Sequence, residues 1–333
     1  MIGSGVAGLA CARRLHLAGH RVSVFDKGRH PGGRLASRAL LLEGQRWWFD
    51  HGAQYFTARS PAFQAETALG LARGALGPWA GRVAPLEAAD PHSPAETRLI
   101  GSPRMHRWAA FLGEGLSLNQ EVEIIGLEHR AMGYRLHTHT GALPGLFAQV
   151  VVAIPPAQAK GLLSSVAPVL SSRVAQARLA PCWALMGVFT GDSAPFEAIR
   201  PSEGSPIAWA RRNPSPPGTD TRTGWVLHAR PEWSEARLEA PPEQITHELL
   251  AAGSALPGMG RAQCVHATVH RWRYALVEAA LGEPCLWDAA RGIGTCGDWH
   301  LGPRVELAWT SGHTLGGEIL ATPRANQPGS GGG

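Results

Sequence analysis

Gly3, Gly5 and Gly8 stand in the spacing G-x-G-x-x-G, and a carboxylate, Asp26, follows 18 residues after the last of them. Residue types at these intervals suit the binding of a dinucleotide. Gly3 permits a tight turn, Gly5 lets backbone approach a pyrophosphate, and Gly8 lets a helix lie close against a sheet. Asp26 is placed to accept hydrogen bonds from ribose hydroxyls and to repel a 2′-phosphate. Gly32-Gly33-Arg34 follows. It forms a turn that brings a guanidinium to the same pyrophosphate, where its planar fork pairs with phosphate oxygens. That addition directs the dinucleotide reading toward a flavin. The bare hexapeptide is also an ordinary glycine turn, since 41 of 333 residues are glycine. Strand, turn, helix and terminal acid in this order carry the argument.

These groups need elements to hold them. Small and apolar residues from Val6 to about Ala18 predict a helix, broken by Gly19-His20, and its N-terminus offers free N–H groups to phosphates. Arg21 to Asp26 alternates as a strand ending on the acid. One piece is short. The strand before Gly3 normally supplies about five to six residues, and only Met1 and Ile2 precede it. That strand is central, so its loss is expected to remove ladder bonds on both sides and to weaken the hold on a cofactor, unless the numbered start lies too far downstream.

Further along, Trp47 to Phe49 is strand-like and Asp50 to Thr57 is a polar-aromatic loop or hairpin corner. Helices are expected from Pro61 to Arg73, from Gly101-Ser102-Pro103 onward, from Pro242 to Ala252 and from Arg304 to Leu320. Glu121–Leu127 and Gly133–Thr140 predict an antiparallel ribbon, and Val150–Ile154 a strand buried on both faces. Runs at Cys182–Thr190, Ile207–Ala210, Trp225–Ala229 and Cys264–His270, separated by proline-rich loops, predict a second, mostly antiparallel sheet. The fold class expected is α/β: a Rossmann-type FAD-binding domain with a second, mostly antiparallel-sheet substrate domain. The first is discontinuous (1–58, 100–165 and 268–322), the second takes 59–99 and 166–267, and 323–333 is a flexible tail.

Composition bounds the rest. With 44% apolar and 17% charged residues the chain describes a globule large enough for two cores. Five scattered cysteines, Cys11, Cys182, Cys264, Cys285 and Cys296, argue for a reducing, cytoplasmic setting without disulfides or a zinc site. Net charge is +5 and the pI about 9.3, yet the basic residues are dispersed, so no nucleic-acid partner is expected. No run reaches the ~18–20 apolar residues of a membrane span.

The run His51-Gly52-Ala53-Gln54-Tyr55-Phe56-Thr57-Ala58-Arg59, with Gly32-Gly33-Arg34 before it and Cys296-Gly297-Asp298-Trp299 after it, resembles the bacterial renalases and the wider flavin amine-oxidase-like group. Ala153–Ala157, Trp225–Ala229, His270–Tyr274 and Arg304-Val305-Glu306 fall in order with it. The resemblance implies non-covalent FAD between the two domains. Beyond the three glycines, Ala7 would lie at the phosphate helix, Asp26 on the ribose, Arg34 on the pyrophosphate, and Gln54 and Tyr55 along the flavin. Val122 would border the adenine, Gly297 and Asp298 the ribityl or pyrophosphate, and Arg304 and Val305 the pyrimidine end. Tyr55, Phe56, Thr57, Ala58 and Arg59 would form part of the substrate wall. His228 and Trp272 are candidates to line the pocket, as is His270, although a histidine in such a place is more often a satisfied structural residue than a catalytic one.

The implied reaction takes hydride from 2- or 6-dihydro isomers of NAD(P)H and passes the electrons to dioxygen, giving NAD(P)⁺ and hydrogen peroxide. The flavin carries that chemistry, and no catalytic side chain is assigned. The residues leave NAD against NADP, and the two isomers, open. The alternatives are an amine oxidase or desaturase of the same superfamily and a truncated, non-catalytic nucleotide-binding protein. Many amine oxidases keep a lysine near the flavin; Lys27 and Lys160, the only lysines here, suit that place poorly.

Overall fold

A computed structural model describes residues 1–84, 96–217 and 221–322. The expected tail, 323–333, lies outside the described residues, as do parts of the proline-rich loops.

The N-terminal helix spans Val6–Leu17 and the final helix Val305–Ala321. They pack against each other so closely that a Cβ at Gly312 would overlap the Ala7 carbonyl. Both cover one face of a sheet whose order is Ser117–Asn119, Ser23–Phe25, Met1-Ile2, Val150–Val152, Ile293–Thr295 and Leu286–Asp288, parallel except for the last. Period-two alternation sorts the side chains. Val24, Val151 and Met1 meet the helices through Cys11, Leu15, Leu315 and Ile319. Phe25, Ile2, Val150, Val152 and Ile293 meet Tyr134, Leu136 and Leu163 on the other face.

The expected gap at the first strand is not found. Ile2 N–H donates to Val151 O at 2.8 Å and Ala153 N–H to Ile2 O at 2.7 Å; on the other side Phe25 N–H donates to Met1 O at 2.9 Å and Gly3 N–H to Phe25 O at 2.8 Å. Two residues carry ladder bonds on both sides, between neighbouring strands that are each three residues long.

The second sheet runs Gln263–Ala279, Arg178–Thr190, Arg222–Ala229, Ile207–Asn213, Ala198–Ile199 and Val83–Ala84. Helix Pro242–Ser254 covers one face through Ile245 and Leu249. The hairpin Ser37–Leu42/Gln45–Asp50 covers the other, with Trp47 and Phe49 against Met186, Val188 and Val226. Strand Gln263–Ala279 passes through the expected boundary at 267/268 without a break, because it pairs with Arg178–Thr190 over its length. Helix Pro61–Ala72, expected with the second sheet, buries Phe63 among Leu9, Trp108 and Trp309 on the nucleotide side.

Two local expectations also shift. The ribbon begins at Gly126 rather than Glu121, because Glu121 and Val122 donate their N–H groups to Gly28 and Asp26 carbonyls and stay beside the acid-bearing turn. The helix expected after Gly101 begins at His106. Among the described residues no helix is long and apolar enough to cross a membrane.

Candidate functional site

The expected phosphate-binding groups gather at the carboxyl ends of the parallel strands, where open α/β sheets place their ligands. Gly3 has φ +104°, and a Cβ there would stand 2.5 Å from the Ala153 carbonyl oxygen. A Cβ on Gly8 would overlap the Gly3 carbonyl, whereas one on Gly5 would meet nothing within 4 Å. Backbone thus closes in behind the turn and opens in front of it. No side chain caps the helix that Val6, Ala7 and Gly8 begin, which leaves its first N–H groups available to an anion. Asp26 holds this turn: Oδ2 accepts from Ser4 N–H at 2.6 Å and Oδ1 from Gly28 N–H at 2.7 Å. Val122 N–H donates to the Asp26 carbonyl at 2.9 Å, which seats Val122 beside the acid.

Arg34 and Asp298, expected as separate contacts, face each other. Arg34 Nη1 and Nη2 donate to Asp298 Oδ2 and Oδ1 at 2.7 and 2.6 Å, and Nη1 also donates to the Ala275 carbonyl at 3.0 Å. Gly297 N–H donates to Ser311 Oγ at 2.9 Å. Its neighbour Cys296 is fully buried, and burial pushes its thiol well above the ordinary range, so it stays protonated.

The loop after Asp50 lies across one face of the second sheet. Trp209 stands opposite His228, His228 opposite Ala184, and Ala184 opposite His270 in the antiparallel ladders. Directly opposed residues share a face, so these four form a row, with Trp272 two residues beyond His270. His51 settles on that row. Its carbonyl accepts from Trp272 Nε1 at 2.9 Å and from His228 Nε2 at 3.1 Å. A carbonyl only accepts, so His228 carries its proton on Nε2. The His51 ring stacks on Trp272 (centroids 5.0 Å apart) and meets His270 edge to face at 4.8 Å.

Burial, with the neighbouring His270, lowers the His51 pKa to about 3. Burial lowers His228 and His270 as well. All three are neutral near pH 7.

Gln54 is buried; its Nε2 donates to the Asp50 carbonyl at 2.6 Å and its Oε1 has no hydrogen-bond partner. Tyr55 turns toward Trp79 and Trp209. The remaining members of the expected wall diverge. Phe56 is core, against Phe63 and Trp108. Ala58 packs on the same cluster, Thr57 is half-buried, and Arg59 pairs with Glu96 at the surface. Period two does not hold in this loop, so neighbours in sequence part company.

Arg304 and Val305 open the final helix, with Arg304 Nη1 3.8 Å from Glu306 Oε2. Glu306 itself, unassigned in the sequence, accepts from Ser60 N–H at 2.6 Å and Arg59 N–H at 3.2 Å. Burial would raise its pKa, yet those donors hold the carboxyl below the usual range. It fixes the end of the loop onto the final helix. His51 and Glu306 were missed as positioning groups; the motif letters contained both, but their partners lie 221 and 247 residues away. A cleft of about 990 Å³ opens beside Tyr274, lined also by Pro156, Lys160, Arg178, Glu232 and Glu278, and none of the expected site residues lines it.

Known proteins place this geometry. Residues 1–66 match the family described as NAD(P)-binding Rossmann-like domain. A 57-residue stretch is 51% identical to 1-hydroxycarotenoid 3,4-desaturase of Flavobacterium sp. (strain P99-3), taking in 17% of this chain and 11% of that protein. The whole chain is similar in structure to a protein described as a protoporphyrinogen oxidase from Exiguobacterium sp. 255-15, with TM-score 0.71, 13% identity and 96% and 97% of the two chains covered. It is also similar to cyclohexylamine oxidase from Brevibacterium oxydans IH-35A, at TM-score 0.70, 12% identity and 96% and 97% coverage. Putrescine oxidase gives 0.66 at 12% identity, covering 96% and 98%. The chain therefore has a mixed α/β fold, with a Rossmann-like NAD(P)-binding domain and a sheet-rich second domain, matching flavin amine oxidase-like structures.

Proposed function

We propose that the chain is an FAD-dependent oxidoreductase that oxidises 2- or 6-dihydro isomers of NAD(P)H, with dioxygen as the final acceptor. The phosphate end fits the cofactor. Gly5 leaves open space in front of an uncapped helix start, as a pyrophosphate needs. The backbone at Gly3, Gly5, Ala7 and Gly8 would receive that group, Asp26 the ribose, and the Arg34–Asp298 pair the stretch toward the flavin ring. Val122 would lie beside the adenine, and Gln54, Tyr55, Gly297, Arg304 and Val305 along the ring system. When bound, FAD supplies hydride acceptance and electron transfer to dioxygen, yielding NAD(P)⁺ and hydrogen peroxide.

The observation that favours this donor is the weak basicity of the histidine row. His51 is held at about 3, and His228 and His270 lie below the usual imidazole range. A dihydropyridine becomes an aromatic pyridinium by losing hydride alone and asks for no base. An ammonium substrate must first shed a proton, and a group that weak takes it poorly. His51, His228 and Trp272 would instead orient the ring and exclude water. A second reading, an amine oxidase or desaturase, is favoured by the whole-chain likeness to the amine oxidases.

Anaerobic mixing of the flavin-loaded protein with 2-, 6- and ordinary 4-dihydro-NAD(P), and with putrescine and cyclohexylamine, tests both. Rapid loss of the oxidised-flavin absorbance with the 2- or 6-isomers alone is the expected result. Bleaching by the amines, or by the 4-isomer only, would overturn the dihydronicotinamide assignment. A protein that takes up no FAD would overturn the cofactor.

A further inference from the structure

Beside the histidine row, the same sheet face carries a second group of side chains. Tyr55 stacks on Trp79 with centroids 5.6 Å apart and lies 5.6 Å from Trp209. Guanidiniums cover these rings, with the exposed Arg200 5.8 Å from the Trp209 centroid and two others closer to the middle of the cluster. Arg98 stands 5.5 Å from the Tyr55 centroid and 5.6 Å from that of Trp79, and Arg211 stands 5.0 Å from Trp79. All three rings and Arg98 are half-buried, so part of each is open to a ligand.

Arg211 is only 3% exposed. Its Nη1 donates to the Gln54 carbonyl at 2.7 Å, but its Nε is buried without a partner, as is Trp209 Nε1. Among the described residues neither Arg98 nor Arg211 forms an ion pair. Asp50 attracts Arg211 through space but does not pair with it. The adjacent Arg212, on the opposite face, shows the ordinary arrangement: it pairs with Asp192 at 3.0 Å. Burying a charge without a counter-ion is unfavourable, and a fork of N–H donors suits carboxylate or phosphate oxygens. A planar ring next to that anion finds aromatic faces and a cation to stack on. An ammonium approaching the same place meets two positive charges.

We propose that Arg98 and Arg211, with the rings of Tyr55, Trp79 and Trp209, form the specificity site of this enzyme and select a substrate that joins an anion to a planar ring. The proposal rests on the reading of the protein as a flavin oxidase and narrows it: the site favours anionic donors and rejects cationic amines.

Equilibrium titration of the flavin-loaded chain, followed by tryptophan fluorescence and calorimetry, tests it with four probes. NAD⁺ offers ring and phosphate, benzoate offers ring and carboxylate, adenosine a ring without an anion, and putrescine a cation without a ring. NAD⁺ or benzoate is expected to bind, adenosine and putrescine at least tenfold more weakly. Arg98→Met and Arg211→Met should each weaken the anionic probe about tenfold or more, and Arg211→Lys should recover part of that. In turnover, KM should rise with kcat near the parent value, the signature of lost uniform binding.

Arg98→Met, being half-buried, keeps the test sharp if Arg211→Met fails to fold. Loss with NAD⁺ but not benzoate identifies a phosphate ligand, and the reverse a carboxylate; either supports the site. Unchanged binding of both in Arg98→Met overturns it, as does putrescine bound as tightly as the anions. The two readings fail separately. If dihydronicotinamides leave the flavin oxidised while anion binding still depends on Arg98, the substrate assignment falls and the anion site stands. If they bleach it with KM unaffected by Arg98→Met, the assignment stands and the site falls.

Discussion

His51 shows how much a single side chain takes from its surroundings. An imidazole ordinarily titrates near 6.5, and burial beside His270 lowers this one to about 3. His300, buried, donating from Nδ1 to the Glu283 carbonyl and accepting at Nε2 from Thr295 Oγ1, falls to about 4 for the same reason. The unfolded chain then binds protons that the folded chain refuses. Stability from these groups is complete above pH 6.5 and is lost as the pH falls from there toward 4 and 3. The melting temperature should therefore decline between pH 6.5 and roughly pH 5, a range in which most carboxylates remain ionised. His51→Gln should flatten that slope, whatever it does to the absolute melting temperature. A slope identical to that of the parent would show that His51 titrates normally in the folded protein. Near neutral pH the same substitution should cost flavin bleaching rate, since the ring that stacks on Trp272 is lost.

At the scale of elements, the decisive contact is between the first and last helices. Gly312 touches the Ala7 carbonyl, backbone against backbone, where nothing flexible is available to move. Alanine is the better helix former by about 1 kcal/mol, but overpacking a site of this kind costs about 1–3 kcal/mol and shifts backbone. Steric cost wins at this position. Gly312→Ala is expected to destabilise by about 1–2 kcal/mol in urea and to lower FAD retention, because Ala7 lies in the first turn of the helix proposed to receive the pyrophosphate. Gly161 supplies the control. It lies in helix Pro156–Leu163 with nothing within 4 Å of a would-be Cβ, so Gly161→Ala should gain up to about 1 kcal/mol. Equal effects at the two glycines would contradict the close helix packing. Strand Ile207–Asn213 shows another element-level device. A bulge between Ile207 and Trp209 leaves Ile207 facing the core under helix Pro242–Ser254 and turns Trp209 and Arg211 to the other side. Without that irregularity, simple alternation would put Ile207, Trp209 and Arg211 together.

At the scale of the molecule, the two largest sheets meet at a seam, and Arg34 crosses it. The guanidinium pairs with Asp298, 264 residues away, and donates to Ala275 in the second sheet. Removing the arginine leaves Asp298 unpaired with its side chain 9% exposed. Full burial would make that loss about 3–5 kcal/mol; Arg34 is itself 32% exposed, so solvent screening reduces it to roughly 1–3 kcal/mol. Arg34→Met is expected to lower stability by that amount and to lower FAD affinity at least tenfold, measured by urea unfolding and by flavin release on dialysis. Unaltered stability would mean that the pair does not join the sheets.

Much of this protein was determined by its sequence alone, wherever local chemistry decides the outcome. The glycine turn, the helix from Val6, the acid at Asp26 and the strands of the second sheet follow from backbone freedom and alternation within short windows, and all are present. Tertiary structure decided the rest, because the partners are distant and the faces depend on small irregularities. Met1 and Ile2 carry a strand's role because two short strands flank them. Phe56 enters the core while Tyr55 joins the aromatic cluster, a parting that no spacing rule separates. The row from Trp209 through His228 to His270 exists only once three strands are in register. That Arg211 is buried without an ion-pair partner among the described residues can be seen only in the folded chain, since composition counts charges and folding alone assigns their partners.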